Sequence, residues 1–273
     1  MRESNEERFR VSFAFGLDDN KRMKISVAVV TYNSAQYLRP QLDTILENLG
    51  PADEIIVSDD GSTDSTLQIL KSYQDNDSRF RVFSIKHSGC NANYENAISR
   101  CTGDIIFLSD DDNVWLPNKV SEVLKVFSDN PKVSLVMHDC QICNADLSEI
   151  KPSFFQDRNA KPGLFRNIMK CSYGGSLIAF RSSLVHRIIP FPKRMPVFYD
   201  EWIGLEASKH GKVYFLPEIL SKWRRHVGAA SSGFIASNGQ VVAKKKIHIK
   251  GSFKRFHERV HTRIVKLWWA LTK

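Results

Sequence analysis

The chain has 273 residues, of which 42% are hydrophobic and 25% charged, a length and composition that predict a folded globular protein with a substantial core. The net charge of +9 belongs to residues 244–273, which hold ten Lys or Arg and a single acid, Glu258. The first 243 residues carry 29 basic and 29 acidic side chains, and this balance argues against a nucleic-acid-binding protein.

The sequence shows no apolar stretch of membrane-spanning length, and its N-terminus is charged where a secretory signal would be apolar. We therefore expect a cytoplasmic protein. Its five cysteines are an odd number, so reduced thiols are expected. Cys140 and Cys143 form a CxxC pair near His138, but no second ligand pair follows at zinc spacing, and ordinary thiols are favoured over a structural zinc site.

The first predicted element is a strand over residues 24–30, which is short, β-branched and almost continuously apolar, as in a strand buried on both faces. A helix is predicted next, with apolar residues at helical spacing from Tyr37 or Leu38 to Leu49. Pro40 places its start just upstream, and Gly50-Pro51 ends it.

The same alternation continues along the chain and predicts an α/β fold with a mostly parallel sheet flanked by helices. Further strands are predicted over residues 54–58, 81–85, 104–108 and 132–137. Helices are predicted from Thr63 or Asp64 to about Tyr73, over residues 91–99, and after Pro117. From about Asp139 the alternation fails.

These patterns divide the chain into four parts. Residues 1–23 form a polar leader, residues 24–138 a half with regular alternation, residues 139–232 a half without it, and residues 233–273 a basic tail.

Clustered carboxylates follow the strand predicted over residues 104–108, in the run Ser109-Asp110-Asp111-Asp112-Asn113. Ligands of parallel α/β sheets bind at the carboxyl ends of strands. Mg²⁺ or Mn²⁺ prefers oxygen ligands and takes one or two carboxylates plus substrate phosphates. The run therefore predicts a metal and diphosphate site, in preference to a solvated acidic turn.

A second acidic segment, residues 59–64 (DDGSTD), follows the strand predicted over residues 54–58. By itself it is equally well explained as a turn with a helix N-cap. At this strand end, one of its carboxylates could accept hydrogen bonds from a nucleobase or ribose, and Tyr32 could supply a ring for base packing.

Three motifs in this order resemble glycosyltransferase family 2, whose members have the GT-A fold: residues 29–33 (VVTYN), residues 58–64 (SDDGSTD) and Asp110 to Asp112. The similarity covers roughly residues 24–230. Residues 89–97 and 113–119 resemble the rhamnosyltransferase-like branch, which usually has Asp-Gln-Asp-Asp where this chain has Asp110-Asp111-Asp112-Asn113. The resemblance implies an inverting, metal-dependent glycosyltransferase using Mn²⁺ or Mg²⁺, with dTDP-rhamnose or a UDP-hexose as donor.

The resemblance implies that residues 24–138 form the nucleotide-sugar-binding half and residues 139–232 the acceptor-binding half with the catalytic base. It also implies roles for individual residues. Asp200 is the expected catalytic base, with Glu201 as the fallback and helix capping as the alternative for both. The expected metal ligands are Asp112, Asp110 and His226, although a lone His is more often structural. The expected donor-binding residues are Thr31, Tyr32, Asn33, Asp59, Asp60, Asn93, Asp110, Asp111 and Arg225. The expected acceptor-binding residues are Trp115, Gly174, Gly175, Glu201 and Trp202.

From Phe253 onward, apolar residues follow helical spacing with Lys and Arg between them, which predicts a basic amphipathic C-terminal helix. Such a helix would suit an anionic membrane surface and a lipid-linked saccharide acceptor, as in cell-surface polysaccharide or lipopolysaccharide assembly; docking on protein is the alternative. Two rival functions are a sugar-phosphate nucleotidylyltransferase, which would need a Gly-rich basic loop in place of residues 31–34, and a non-catalytic sugar-binding module.

Overall fold

The computed structural model describes residues 22–192 and 197–226. The predicted amphipathic tail and all but the last two residues of the predicted leader lie outside these ranges. Within the described part, no helix is both long enough and apolar enough to cross a membrane.

The described strands are β1 (Ile25–Thr31), β2 (Glu54–Asp59), β3 (Phe80–Ser84), β4 (Ile105–Ser109), β5 (Val114–Trp115), β6 (Val133–Cys143), β7 (Glu149–Lys151), β8 (Ile178–Arg181) and β9 (Lys212–Arg224). The described α-helices are α1 (Leu38–Leu46), α2 (Thr66–Asn76), α3 (Cys90–Ile98), α4 (Lys119–Asp129), α5 (Phe154–Arg158), α6 (Leu164–Met169), α7 (Val185–Ile188) and α8 (Tyr199–His210). Each element predicted between residues 24 and 137 is present, with ends shifted by a few residues.

These strands form one sheet in the order β3-β2-β1-β4-β8-β6-β9-β5, with β7 paired to β6. Strands β3, β2, β1 and β4 run parallel to one another, and β6 is parallel to β9. Strand β8 is antiparallel to both β4 and β6, so it separates two strands that simple alternation would place side by side. The predicted α/β class is confirmed, and one sheet runs through both predicted halves.

The central strands are buried because helices cover both faces of the sheet. Every residue of β1, β2 and β4 is buried. One face packs in a cluster that includes Leu42 and Phe127, and the other in a cluster that includes Tyr94 and Ile203. The carboxyl ends of β1, β2 and β4 therefore meet at one rigid edge, which carries the polar residues singled out above.

Candidate active site

The acidic run after β4 is partly enclosed by protein. Asp112 is buried, whereas Asp110 and Asp111 are half-buried. Burial and then the neighbouring Asp112 carboxylate raise the pKa of Asp110 to about 6 and that of Asp111 to about 7. Three carboxylates held this close repel one another, and a cation would relieve that repulsion. This environment differs from that of a solvated turn.

Asp112 is the carboxylate best placed for a metal. Its Oδ2 lies 2.9 Å from Nε2 of His226, whereas its buried Oδ1 has no hydrogen-bond partner within the described residues. A buried carboxylate oxygen without a partner is costly unless a ligand satisfies it. The end of β9 holds this pair in place, because Arg224 Nε donates to the Asp112 carbonyl at 2.8 Å.

The predicted metal set is only partly assembled. Asp112 and His226 are in contact, but the described ranges contain no group of three or more His, Cys, Asp or Glu residues arranged to hold a metal ion. One oxygen of Asp110 accepts a hydrogen bond from the Tyr94 hydroxyl at 2.8 Å. A cation that takes one or two carboxylates and completes its shell with diphosphate oxygens fits this arrangement.

Asp111 holds the loop that follows β1. Its Oδ2 accepts hydrogen bonds from the Ser34 hydroxyl and from the Tyr32 backbone N–H, the latter at 3.2 Å. This oxygen therefore joins the end of β4 to the end of β1. The contact between Asp111 and a donor remains a prediction.

Asp59 and Asp60 shape the loops around the end of β2. Both oxygens of Asp59 are engaged, accepting from the Thr31 hydroxyl at 2.8 Å and from the Ser62 hydroxyl and backbone N–H groups of Gly61 and Ser62. Asp60 accepts from the backbone N–H groups of Ser88 and Gly89, at 2.7 and 3.0 Å. These bonds position the loops, and direct contact of either carboxylate with a nucleotide remains a prediction.

Tyr32 presents an aromatic surface beside these loops. Its side chain is 46% exposed, and its ring stacks on His87 with centroids 4.4 Å apart. Asn33 has a positive φ of 50° and accepts a hydrogen bond from the Thr63 N–H at 2.8 Å. Asn93 lies beneath, with its amide donating to the Thr31 carbonyl at 3.2 Å. The predicted donor residues of β1, β2 and α3 thus share one edge.

Asp200 lies in the first turn of α8, facing this edge. Its Oδ1 accepts a hydrogen bond from the Glu201 N–H at 2.8 Å. Burial raises the pKa of Asp200 to about 7, with Glu201 and Asp110 adding smaller repulsions. A carboxylate with a pKa near neutrality is suited to take a proton from a hydroxyl group. Tyr94 links this carboxylate to the acidic run, because its hydroxyl donates to Asp110 at 2.8 Å and its ring stacks on Tyr199, the residue before Asp200, with centroids 3.8 Å apart. The role of Asp200 as base remains a prediction.

Residues 26–186 match the sequence profile of glycosyl transferase family 2, which amounts to more than half of the chain. The chain belongs to this family. It is 26% identical to an uncharacterised glycosyltransferase of Nostoc sp. over 77% of its own length and 69% of that protein's. An uncharacterised protein of Mycobacterium tuberculosis is also 26% identical, with 74% of this chain and 59% of that protein covered.

Solved structures show the same fold. The crystal structure of S. aureus TarS residues 1–349 in complex with UDP-GlcNAc has a TM-score of 0.67 at 19% identity, covering 92% of this chain and 68% of that one. The mannosyltransferase PcManGT from Pyrobaculum calidifontis, in complex with GDP-Man and Mn²⁺, has a TM-score of 0.59 at 18% identity, covering 96% and 70%. The described part of the glycosyltransferase therefore has the GT-A fold.

The acceptor-side predictions for this family 2 glycosyltransferase require a correction at Trp115. Trp115 is only 2% exposed and packs on Phe107 in the core, with Lys119 Nζ 3.8 Å from its ring centroid. It therefore supports the sheet from within and offers no surface to an acceptor. Trp202 is also buried, and its indole N–H donates to the Ile188 carbonyl at 2.9 Å.

Gly175 and Gly174 have different surroundings. A Cβ on Gly175 would lie 1.7 Å from the Tyr199 hydroxyl oxygen, so this glycine is needed for packing against the residue before Asp200. A Cβ on Gly174 would lie 3.2 Å from the flexible end of Leu177 and 3.5 Å from the edge of the Phe154 ring, which leaves nearly enough room for it. Glu201, the next residue after Asp200 in α8, is buried, and its contact with an acceptor remains a prediction.

Arg225 is buried, and its guanidinium lies 4.8 Å from the Trp223 ring centroid. Burial lowers its pKa below the usual range. The expected role of Arg225 toward the donor diphosphate remains a prediction.

Cys140 and Cys143, the CxxC pair of the sequence, are buried free thiols on β6.

Several residues that hold the site together were not predicted from the sequence. Tyr94 binds Asp110, Ser34 binds Asp111, and Tyr37 packs its ring 4.5 Å from that of His226. Lys119 is fully buried and donates to the Ser176 carbonyl at 3.3 Å. Tyr94 falls within the family-like run of residues 89–97 and Lys119 within that of residues 113–119, but the sequence gave no sign of the contacts that either residue makes.

Proposed function

We propose that this glycosyltransferase moves a sugar from a nucleoside-diphospho-sugar to a hydroxyl group of a saccharide, with inversion at the sugar carbon and dependence on a divalent metal. The proposal rests on two carboxylates, Asp112 and Asp200, that lie in the same part of the molecule and have different environments. Asp112 has a buried oxygen without a partner within the described residues, and Asp200 has a pKa near neutrality with Asp110 close by.

The ligands of proteins with the same fold support this donor class. TarS is described in complexes with UDP-GlcNAc and UDP, and PcManGT with GDP-Man and Mn²⁺. For this chain we propose a UDP-hexose or dTDP-rhamnose as donor. The second rests on the rhamnosyltransferase-like runs of residues 89–97 and 113–119, and the Asp111 and Asn113 positions depart from that branch.

Asp112 and His226 would hold the metal, Mn²⁺ or Mg²⁺, with Asp110 beside them. When bound, the ion would supply positive charge to the diphosphate leaving group. Arg225 would add a second positive charge that stabilises the negative charge developing on the nucleoside diphosphate.

Asp200 would act on the acceptor. Its carboxylate takes the proton of the acceptor hydroxyl as that oxygen forms a bond to the anomeric carbon of the donor sugar. The bond from this carbon to the diphosphate oxygen breaks, its electron pair leaves with the nucleoside diphosphate, and the configuration inverts. A raised pKa keeps Asp200 basic enough to accept the proton at neutral pH. The negative charge of the neighbouring Glu201 adds to the raised pKa of Asp200.

For the acceptor, we propose a lipid-linked saccharide of a cell-surface polysaccharide, reached by the enzyme at the cytoplasmic face of the membrane. The support is the basic amphipathic pattern of residues 253–273. Co-sedimentation of the protein, with and without residues 244–273, with anionic liposomes tests this part. Loss of binding in the shorter chain is expected, and equal binding would rule out the tail as the membrane contact.

The donor proposal is tested by thermal-shift measurements with UDP, dTDP and GDP, each with and without Mn²⁺. Ligand binding to the folded state raises the melting temperature, by an amount that grows with affinity. We expect one nucleotide to raise Tm only when Mn²⁺ is present, and we expect Asp112→Ala to abolish that increase. No increase with any nucleotide would contradict the proposal.

A further inference from the structure

Helix α3 lies between the acidic run and the predicted base. It begins at Cys90, immediately after Ser88 and Gly89, whose N–H groups are held by the Asp60 carboxylate. Asn93 of the same helix donates to the Thr31 carbonyl at the end of β1. The N-terminal half of α3 is therefore fixed to the ends of β1 and β2, which are the rigid part of the site.

Asn91 connects this fixed helix to the segment that carries the base. Its Oδ1 accepts a hydrogen bond from the Tyr199 N–H at 3.0 Å, and its Nδ2 donates to the Val197 carbonyl at 3.3 Å. Both partners lie within three residues of Asp200. One amide side chain thus binds a donor and an acceptor of the backbone that leads into α8, which fixes the direction of that backbone.

Tyr94, one helical turn after Asn91, makes a second connection. Its hydroxyl donates to Asp110 Oδ1 at 2.8 Å, and its ring stacks on Tyr199 with centroids 3.8 Å apart. The hydroxyl end of Tyr199 packs closely on Gly175, where a Cβ would lie 1.7 Å from the hydroxyl oxygen. The residue before Asp200 is therefore held by α3 through both its backbone and its ring.

We propose that Asn91 is a positioning residue that sets the Asp200 carboxylate relative to the acidic run, with α3 as the rigid spacer. This inference rests on the proposed role of Asp200 as base. Asn91 acts through the backbone before Asp200 and is not proposed to contact the metal, the donor or the acceptor. Its loss is therefore expected to affect the chemical step more than nucleotide binding.

The test compares Asn91→Ala with Asn76→Ala, a matched change at an exposed asparagine whose side chain caps only its own helix, by donating to the Ser72 carbonyl. For each variant, kcat is measured for the Mn²⁺-dependent hydrolysis of a donor. The donor is UDP-GlcNAc, UDP-glucose or dTDP-rhamnose, whichever the wild type cleaves. Calorimetry gives the Kd of the corresponding nucleoside diphosphate with Mn²⁺.

We expect Asn91→Ala to lower kcat by roughly 10- to 100-fold, since displacement of a catalytic group by about 1 Å costs up to about 100-fold. The Kd should stay within about threefold of wild type, because Asp112 and His226 are untouched. Asn91→Asp keeps the acceptor for the Tyr199 N–H and is expected to recover part of kcat at pH 8, where Asp200 is ionised. Asn76→Ala should match wild type.

The inference is overturned if Asn91→Ala keeps wild-type kcat, or if kcat and nucleotide affinity fall by the same factor, since the second result indicates a general structural defect. Failure of the proposed function has a different signature. It would appear in the wild type itself, as absence of both nucleotide binding and donor cleavage.

Discussion

At the scale of single residues, the contact between Asp112 and His226 is the most specific indication of a metal site. One Asp112 oxygen lies 2.9 Å from the imidazole, and the other is buried without a hydrogen-bond partner within the described residues. Both residues were predicted from the sequence, but their contact joins positions 114 apart in the chain, and no local pattern encodes such a contact. The same holds for Tyr94 and Ser34, which hold the neighbouring carboxylates.

Asp112→Asn tests the metal assignment directly. The amide is isosteric but neutral, so the affinity for Mn²⁺ in the presence of the nucleoside diphosphate should fall by roughly 10-fold or more. Isothermal titration calorimetry measures this affinity. Asp146→Asn, at an exposed turn where the carboxylate binds only Ser148, is the matched control and should bind as wild type does. Equal Mn²⁺ affinity in the two variants would show that Asp112 is not a metal ligand.

The pH dependence of turnover tests Asp200. Its pKa is raised to about 7, so the carboxylate is ionised and able to accept a proton above that value and is neutral below it. We expect kcat to fall about 10-fold per pH unit below an apparent pKa near 7. A pH–rate profile with saturating donor and metal measures this. An acidic limb centred near pH 4 would indicate that a solvent-exposed carboxylate, and not Asp200, supplies the base.

At the scale of helices and strands, the spacing of apolar residues and the Gly and Pro residues at element ends predicted most elements correctly. Strands β1, β2 and β4 were predictable because each is a short, apolar run that is buried, and helix α1 because its apolar residues recur at helical spacing. Strand β3 and helices α2 to α4 were predicted from the continued alternation of strands and helices. Strand β6 runs six residues past its predicted end at Met137, to Cys143, because it pairs with β7 and β9 there. Those pairings depend on distant segments, so the local sequence gives no sign of them.

Alanine substitutions at the adjacent residues Gly174 and Gly175 test the packing between the turn at residues 175–177 and α8. Gly175→Ala would place a methyl group 1.7 Å from the Tyr199 hydroxyl oxygen, so Tyr199 must move. Overpacking of this kind costs about 1–3 kcal/mol. We expect a clear fall in Tm by calorimetry, together with reduced turnover. Gly174→Ala, whose methyl group would lie no closer than 3.2 Å to Leu177 and 3.5 Å to Phe154, should have a smaller effect on both. Equal effects at the two positions would contradict this packing.

The topology of the whole molecule was only partly predictable. An α/β fold followed from the alternation of elements, but the antiparallel β8 between β4 and β6, and the parallel pairing of β9 with β6, did not. These arrangements bring His226, at the end of β9, to the acidic run after β4. The resemblance to family 2 supplied His226 and Asp200 as candidates, and the contacts of β9, α3 and α8 show how the fold positions them.

The acidic site also predicts how the stability of the metal-free protein depends on pH. The pKa values of Asp110, Asp111 and Asp200 are raised from 3.8, so the folded state binds protons more tightly than the unfolded state. Their favourable contribution to the free energy of unfolding is fully present below about pH 4 and is lost as the pH rises through 6 to 7. Between pH 5.5 and 8, the change in Tm should be more negative for wild type than for Asp200→Asn, in which one of these groups no longer titrates. Identical changes would contradict the raised pKa of Asp200.

The most direct test of the central claim combines binding and turnover in the Asp200→Asn variant. Nucleotide binding with Mn²⁺ is measured by calorimetry, and cleavage of the donor identified for wild type is measured by release of the nucleoside diphosphate. If Asp200 is the base and Asp112 holds the metal, Asp200→Asn should bind the nucleotide as wild type does and lose about 100-fold or more in kcat. Near-wild-type kcat in this variant would contradict the account.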